Sequence, residues 1–296
     1  MAGPNPAPAS PANRPWYHPL VVAQRLVIYG LIAYLCICVF LSLMQTRMIY
    51  VASTYVLTAD AAIREARMDG VVPWDHTTTG ATAPQGFVRP DFAKAAPRGT
   101  IVVFHGNGEF AWMRPDMVDA FTRRGFRVFL YEYPGYGGRV GRPSEAAIVP
   151  DAQAVNRALD NAGCGPIYVR GQSLGSGVAA AVCADATLPV HGLTLVTPWD
   201  TIANVGLSIY PYLPIRLLMT DKYDSIANLE HFRHPICVIR GDRDEIIPPS
   251  LSLNLFAHLP DPKKMILKEG YGHGDWPDTA DLPWWDDTLD FIAPRK

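Results

Sequence analysis

The chain has 296 residues, of which 49% are hydrophobic and 18% charged. That length suits one domain of roughly 200–250 residues plus an extension, and the apolar content excludes a chain disordered throughout. The formal net charge is −2 with no basic stripe, which removes the electrostatic footprint of a nucleic-acid binder.

Residues 1–19 are rich in Pro, Ala and Asn, and this composition predicts a disordered tail. Leu26 to Met44 is a run of 19 residues without a charge, bounded by Arg25 and Arg47. At 1.5 Å per residue the run spans about 28 Å, close to the hydrocarbon thickness of a bilayer. A buried core helix and a cleaved signal peptide are the competing readings. Apolarity on every face speaks against the first. The length of the run, the residues preceding it and the lack of an A-x-A site after Met44 speak against the second. The expectation is an uncleaved single-pass anchor over residues 20–45. Arg14 and Arg25 precede it while Arg47 and Arg64 follow, so the positive-inside count leaves its orientation open.

Residues 46–296 are expected to form the body. Thr54–Met68 has an amphipathic helical pattern, readable as a helix at a membrane surface or as an ordinary surface helix. Val71 to Phe92 holds β-like pieces broken by Pro73, Gly80, Pro84 and Pro90, suited to entry strands on an open sheet edge. From Gly99 onward strands and helices alternate. Strands are predicted at Thr100–Phe104, Arg127–Tyr131, Ile167–Arg170, Gly192–Val196, Ile236–Arg240 and Lys264–Leu267. Helices are predicted at Met113–Arg124, Ser144–Ala162, Gly177–Asp185 and Leu251–Leu259. This alternation implies a mostly parallel, doubly wound α/β sheet with reactive groups at the carboxyl ends of its strands.

Of the five cysteines, Cys164, Cys183 and Cys237 fall in the body. An odd number is not a disulfide framework, which leans toward a reducing compartment. No Cys/His spacing suits a metal, so no metal and no cofactor is expected.

The strand Ile167–Val169 runs into Gly171-Gln172-Ser173-Leu174-Gly175, a G-x-S-x-G turn before a helix of small residues. This places Ser173 on a strained strand-to-helix turn, with glycines where side chains would collide. A serine nucleophile needs a base, a carboxylate to orient it and donors for the oxyanion. His273, in the glycine-rich loop after the last strand, is the candidate base. Asp244, in Gly241-Asp242-Arg243-Asp244-Glu245 after the strand at Ile236, is the candidate acid; Asp242 is second and Asp200 a remote alternative. The backbone N–H groups of Leu174 and Asn107 are the candidate oxyanion donors. His105 reads as a structural residue beneath the oxyanion loop, His258 as a surface residue, and His231 and His234 as loop residues.

These segments together carry a resemblance. His105-Gly106-Asn107-Gly108, Tyr131-Glu132-Tyr133-Pro134-Gly135-Tyr136-Gly137, Gly171 to Gly177, Gly241-x-x-Asp244 and Gly272-His273-Gly274-Asp275 resemble the α/β-hydrolase superfamily. More narrowly they are similar to its membrane-anchored α/β-hydrolase-domain branch and bacterial relatives, over roughly Gln45 to Ile292. Gln45 to Tyr50 after the anchor is similar to that branch too. Glu132 departs from it, since many relatives carry aspartate there. The resemblance implies an α/β-hydrolase fold with a short cap at about 198–232, and hydrolysis of carboxylic esters or thioesters, including lipids and acylated proteins. It also implies a location in a bacterial inner membrane. A serine peptidase of the aminopeptidase type is the alternative, and a binding module on an inactive hydrolase fold a remote one. A dehalogenase would need an aspartate in place of Ser173.

Overall fold

In a computed structural model of the chain, residues 19–74, 83–92, 98–276 and 282–295 are described, together with residue 3. Of the predicted tail, residues 1–2 and 4–18 lie outside the described residues, as does Gly80, while Pro19 begins the first helix. The chain forms two compact units, Met1–Leu43 and Met44–Lys296. Helix α1, Pro19–Ile49, starts in the first. Its side chains from Leu20 to Leu43 are mostly exposed, and Leu20–Ile49 is long and apolar enough to cross a membrane. The helix continues beyond the predicted end at residue 45. At residue 45 itself, the Gln45 side-chain oxygen accepts from Thr220 N–H at 2.9 Å and its amide donates to Leu218 O at 3.2 Å.

The second unit opens with a 3-10 turn, Val51–Thr54, and helix α2, Ala59–Met68, capped by the Thr58 hydroxyl. A single amphipathic helix from Thr54 was expected; the segment between the turn and Thr58 is extended instead. Strands β1 (Val72–Pro73) and β2 (Gly86–Val88) pair antiparallel, and β2 pairs antiparallel with β4 (Arg127–Tyr131). They lie at one end of the sheet, with β1 outermost and β2 between β1 and β4, in keeping with the broken β pattern. Strand β3 (Thr100–Phe104) leads through a 3-10 turn, Ala111–Met113, to α3 (Pro115–Thr122). After β4 come α4 (Glu145–Asn161), β5 (Ile167–Gln172), α5 (Leu174–Cys183) and β6 (Val190–Val196).

The segment expected to form a cap holds three short helices, α6 (Ile202–Ile209), α7 (Ile215–Leu218) and α8 (Ser225–Leu229). The chain ends with β7 (Ile236–Gly241), α9 (Pro249–His258), β8 (Lys263–Lys268) and α10 (Trp284–Ile292). Among the described residues the sheet order is β1-β2-β4-β3-β5-β6-β7-β8, parallel from β4 to β8. Every residue of β3 and β5 is buried, as central parallel strands covered on both faces must be. Helices α4, α5, α8 and α9 touch in series, while α3 and α10 meet through Phe121 and Trp285, whose rings lie 4.8 Å apart. Two sets of helices on one sheet make the doubly wound α/β fold.

All five cysteines are free. Burial pushes the Cys237 thiol up to about 12 and raises Cys183 as well. Both are apolar filler rather than reactive thiols.

Candidate active site

Strand register sets the site. Phe104 of β3 sits beside Gly171 of β5, and Gln172 beside Val196 of β6, so the loops after these strands open at one edge. The glycines of the elbow have steric reasons. A Cβ on Gly171 would lie 2.1 Å from Gly175 O, and one on Gly175 would lie 2.1 Å from Phe104 O and 2.7 Å from His105 O. Only glycine lets the start of α5 press against both β5 and the end of β3. Helix α5 therefore begins at Leu174, directly after the turn, three residues ahead of its predicted start. Ser173 holds φ 52° and ψ −119°. It is fixed there by its N–H to Val196 O at 3.0 Å and by the Ser176 hydroxyl and N–H on its carbonyl at 2.6 and 2.8 Å.

Ser173 Oγ lies 2.9 Å from His273 Nε2. His273 Nδ1 lies 3.0 and 2.9 Å from the two carboxylate oxygens of Asp244. The Asp244 side chain is 5% exposed and that of His273 18%, so the acid is shielded while the ring keeps one face open. Asp244 Oδ1 also accepts the N–H groups of Ile246 and Ile247 at 3.0 and 2.8 Å. Its loop is pressed against the His273 loop because Gly241 has no side chain: a Cβ there would stand 2.0 Å from Tyr271 O. The other two acids are occupied elsewhere. Asp242 accepts from Gly270 N–H at 2.6 Å. Asp200 is buried and accepts from Thr201 N–H, Asn204 and Asn254. His258 is exposed at the end of α9, with Nδ1 against Asn254 O. His231 and His234 lie between α8 and β7.

The loop after β3 is held from beneath. His105 is buried, with Nδ1 2.8 Å from Gly106 O and Nε2 3.0 Å from Glu132 Oε1. A carbonyl only accepts, so Nδ1 donates to it. Gly106 C=O and Asn107 N–H share one trans peptide, and the two point in opposite directions. Tying the carbonyl to the ring therefore turns the Asn107 N–H away from it. Glu132 in turn accepts Ala111 N–H and Tyr133 N–H, each at 3.1 Å. Tyr133 OH donates to His105 O at 2.7 Å and Tyr136 OH to Asn107 O at 3.0 Å. The motif Tyr131 to Gly137 stood out in the sequence, but nothing there assigned these supporting contacts. The signal that could have found them is the pairing of a histidine after one strand with an acid after the next.

In the segment after β3, Arg114 pairs with Glu109 bidentately, Nε and Nη2 each donating to one carboxylate oxygen. Burial alone pushes the Glu109 carboxyl up, but the Arg114 charge beside it wins and holds it below its ordinary value. Ser173, His273 and Asp244 form one hydrogen-bonded line, with Leu174 N–H at the first turn of α5. Such a line can deprotonate a hydroxyl and hold the resulting imidazolium beside a carboxylate.

Comparison with known proteins bears on the same region. A family profile described as Serine aminopeptidase, S33 matches residues 95–220. A protein of Mycobacterium tuberculosis, itself uncharacterized, is 32% identical over 260 residues, covering 87% of this chain and 88% of its own. The lysophosphatidylserine lipase ABHD12 of Macaca fascicularis is 28% identical over 185 residues, covering 56% of this chain and 46% of that protein. Among solved structures, TT1662 from Thermus thermophilus aligns with a TM-score of 0.55 at 19% identity, covering 71% of this chain and 94% of that one. The sequence matches and the sheet order agree: the chain belongs to the α/β-hydrolase superfamily.

Proposed function

We propose that the protein is a membrane-tethered serine hydrolase that cleaves carboxylic esters or thioesters of lipid or acyl-protein type through an acyl-enzyme. The observation that carries this reading is the line from Ser173 Oγ through His273 to Asp244, at 2.9 Å and 2.9–3.0 Å. His273 Nε2 takes the hydroxyl proton as Ser173 Oγ attacks the acyl carbonyl. The N–H groups of Asn107 and Leu174 receive the oxyanion. The same imidazole returns its proton to the departing alcohol or thiol, then activates a water that releases the acid, restoring Ser173. Asp244 holds the ring in the tautomer with Nδ1–H and balances its charge when Nε2 is protonated. Helix α1 supports a single membrane span over Leu20–Ile49.

The cap segment supports an acyl substrate. It exposes Ile209, Tyr212 and Leu217. Three of its four acids are used internally: Asp200 accepts from Thr201 N–H, Asn204 and Asn254, Asp221 accepts from Tyr50 OH and Glu145 N–H, and Asp224 caps α8, while Glu230 is exposed. A lipase among the relatives favours the same class. The serine aminopeptidase profile favours a second reading, cleavage of a peptide with a free amino terminus. The two separate on substrates. Full-length protein in detergent should hydrolyse p-nitrophenyl esters with a chain-length optimum and leave aminoacyl p-nitroanilides intact. Turnover of the anilides alone would contradict the esterase reading.

A further inference from the structure

We propose that the turn directly after α1, Val51–Thr54, is a positioning element of the active site, because the backbone N–H of Ala52 holds the loop that presents Asn107. This rests on the reading of Ser173 and Asn107 given above. Ala52 N–H donates to Asn107 O at 2.9 Å, and Ala52 is buried. Tyr136 OH donates to the same carbonyl at 3.0 Å. The preceding peptide is tied through Gly106 O to His105 Nδ1. Both peptide units that flank the Asn107 Cα are thus fixed by their carbonyls. One anchor comes from beneath, the other from the residue three positions after the end of α1.

The turn is itself fixed at several points. Tyr50 is fully buried, and its hydroxyl donates to Asp221 Oδ2 at 2.6 Å and lies 3.2 Å from Tyr223 OH. Asp221 Oδ1 accepts Glu145 N–H at 3.1 Å, joining the turn to the start of α4. Ser53 Oγ donates to Tyr50 O at 2.6 Å and Tyr55 N–H to Ala52 O at 3.1 Å. The Tyr55 ring meets the edge of Phe110, three residues beyond Asn107. One turn earlier, Gln45 is bonded to Leu218 O and to Thr220. The segment leaving the anchor therefore touches both the end of α7 and the oxyanion loop.

Oxyanion donors work by being held in place before charge develops, and a displacement of about 1 Å can cost on the order of 100-fold in rate. An N–H that fixes the loop belongs to that preorganisation, although it never meets substrate. Ala52 is thus a positioning residue, and its loss should appear in turnover rather than in substrate binding.

The test uses the full chain in detergent micelles, with the p-nitrophenyl ester it turns over fastest and a fluorophosphonate probe. Two variants remove the Ala52 N–H: Ala52→Pro, and replacement of Ala52 by its α-hydroxy-acid analogue, which exchanges only the N–H for an ester oxygen. Should the proline variant not fold, the ester variant decides. Thr58→Ala is the control, since it costs a helix cap of similar stability outside the turn. The expected result is a kcat lower by roughly 10- to 100-fold with KM within about twofold, labelling slowed in proportion, and a normal kcat in Thr58→Ala. Unchanged kcat in the folded Ala52 variants overturns the proposal and leaves the reading of Ser173 standing. So does an equal loss in Thr58→Ala. A wild-type chain that neither labels nor turns over overturns the reading of Ser173 and the proposal with it.

Discussion

Ser173 is held at φ 52°, a region that costs a residue with a Cβ about 1–3 kcal/mol and persists only where the surroundings impose it. Its backbone bonds to Val196 and Ser176 impose it here, so the strain is local and measurable. Ser173→Gly should be more stable than Ser173→Ala by about 1–2 kcal/mol in urea unfolding, with both devoid of activity. Equal stabilities would mean that the turn is unstrained. The acids behave differently from one another for a geometric reason. Asp244→Asn should lower kcat on the order of 10³–10⁴-fold, because the amide cannot hold the Nδ1–H tautomer. Asp242→Asn should leave kcat within about threefold and cost about 1 kcal/mol of stability through Gly270 N–H. Steady-state kinetics on the pair checks both. The sequence put three acids in this loop and favoured Asp244 by its position after Gly241. The two N–H groups of Ile246 and Ile247 that aim its carboxylate are a property of the folded loop, without a motif of their own.

The elements matter through what they hold in register. Helix α4 presents Asp151 to Arg139, Tyr131 and Gln85, and Arg139 also donates to Glu132 O at 2.6 Å. One carboxylate thereby ties α4 to the loop that carries Glu132, Tyr133 and Tyr136. Burial raises the Asp151 carboxyl, but the hydrogen bonds and charge of Arg139 outweigh it and leave it below its ordinary value. A depressed folded value stabilises the protein above the unfolded value of about 3.9 and ceases to do so as pH falls through the folded value. Asp151→Asn should therefore cost about 1–3 kcal/mol at neutral pH. That difference should shrink below about pH 4 in urea unfolding; a gap independent of pH would contradict the ion pair. The strands and long helices of the body were legible because their periodicity is local: β3, β4, β7, α4 and α9 fall within two residues of their predicted ends. The break between the 3-10 turn at Val51–Thr54 and α2 was not, because Ala52 and Tyr50 are placed by partners at positions 107 and 221. The three short helices of the cap segment lacked a periodic stretch long enough to read.

Along the chain, an apolar helix of membrane-spanning length precedes a body of the α/β-hydrolase superfamily. We expect full-length protein to stay in the membrane pellet through alkaline carbonate washing, and chains lacking residues 1–43 to leave it. A full-length chain found in the wash would contradict the span at Leu20–Ile49. Removing residues 1–43 keeps Gln45, Tyr50 and Ala52 and should leave a folded body. Removing residues 1–55 takes away the buried Tyr50 and should cost at least about 3–5 kcal/mol, the range for emptying a large aromatic site; equal melting temperatures for the two truncations would contradict the contacts made by Tyr50. The apolar run marked a helix of membrane-spanning length in the sequence, and the order of serine, acid and histidine along the chain pointed to the fold. The hydrogen bond from Ala52 N–H to Asn107 O, between residues far apart along the chain, needed coordinates. The central claim is that Ser173 is the nucleophile activated by His273, and fluorophosphonate labelling of the full chain tests it most directly. Wild type should label at one serine, Ser173→Ala should lose the label completely, and His273→Ala should label far more slowly. Undiminished labelling of Ser173→Ala would contradict the account.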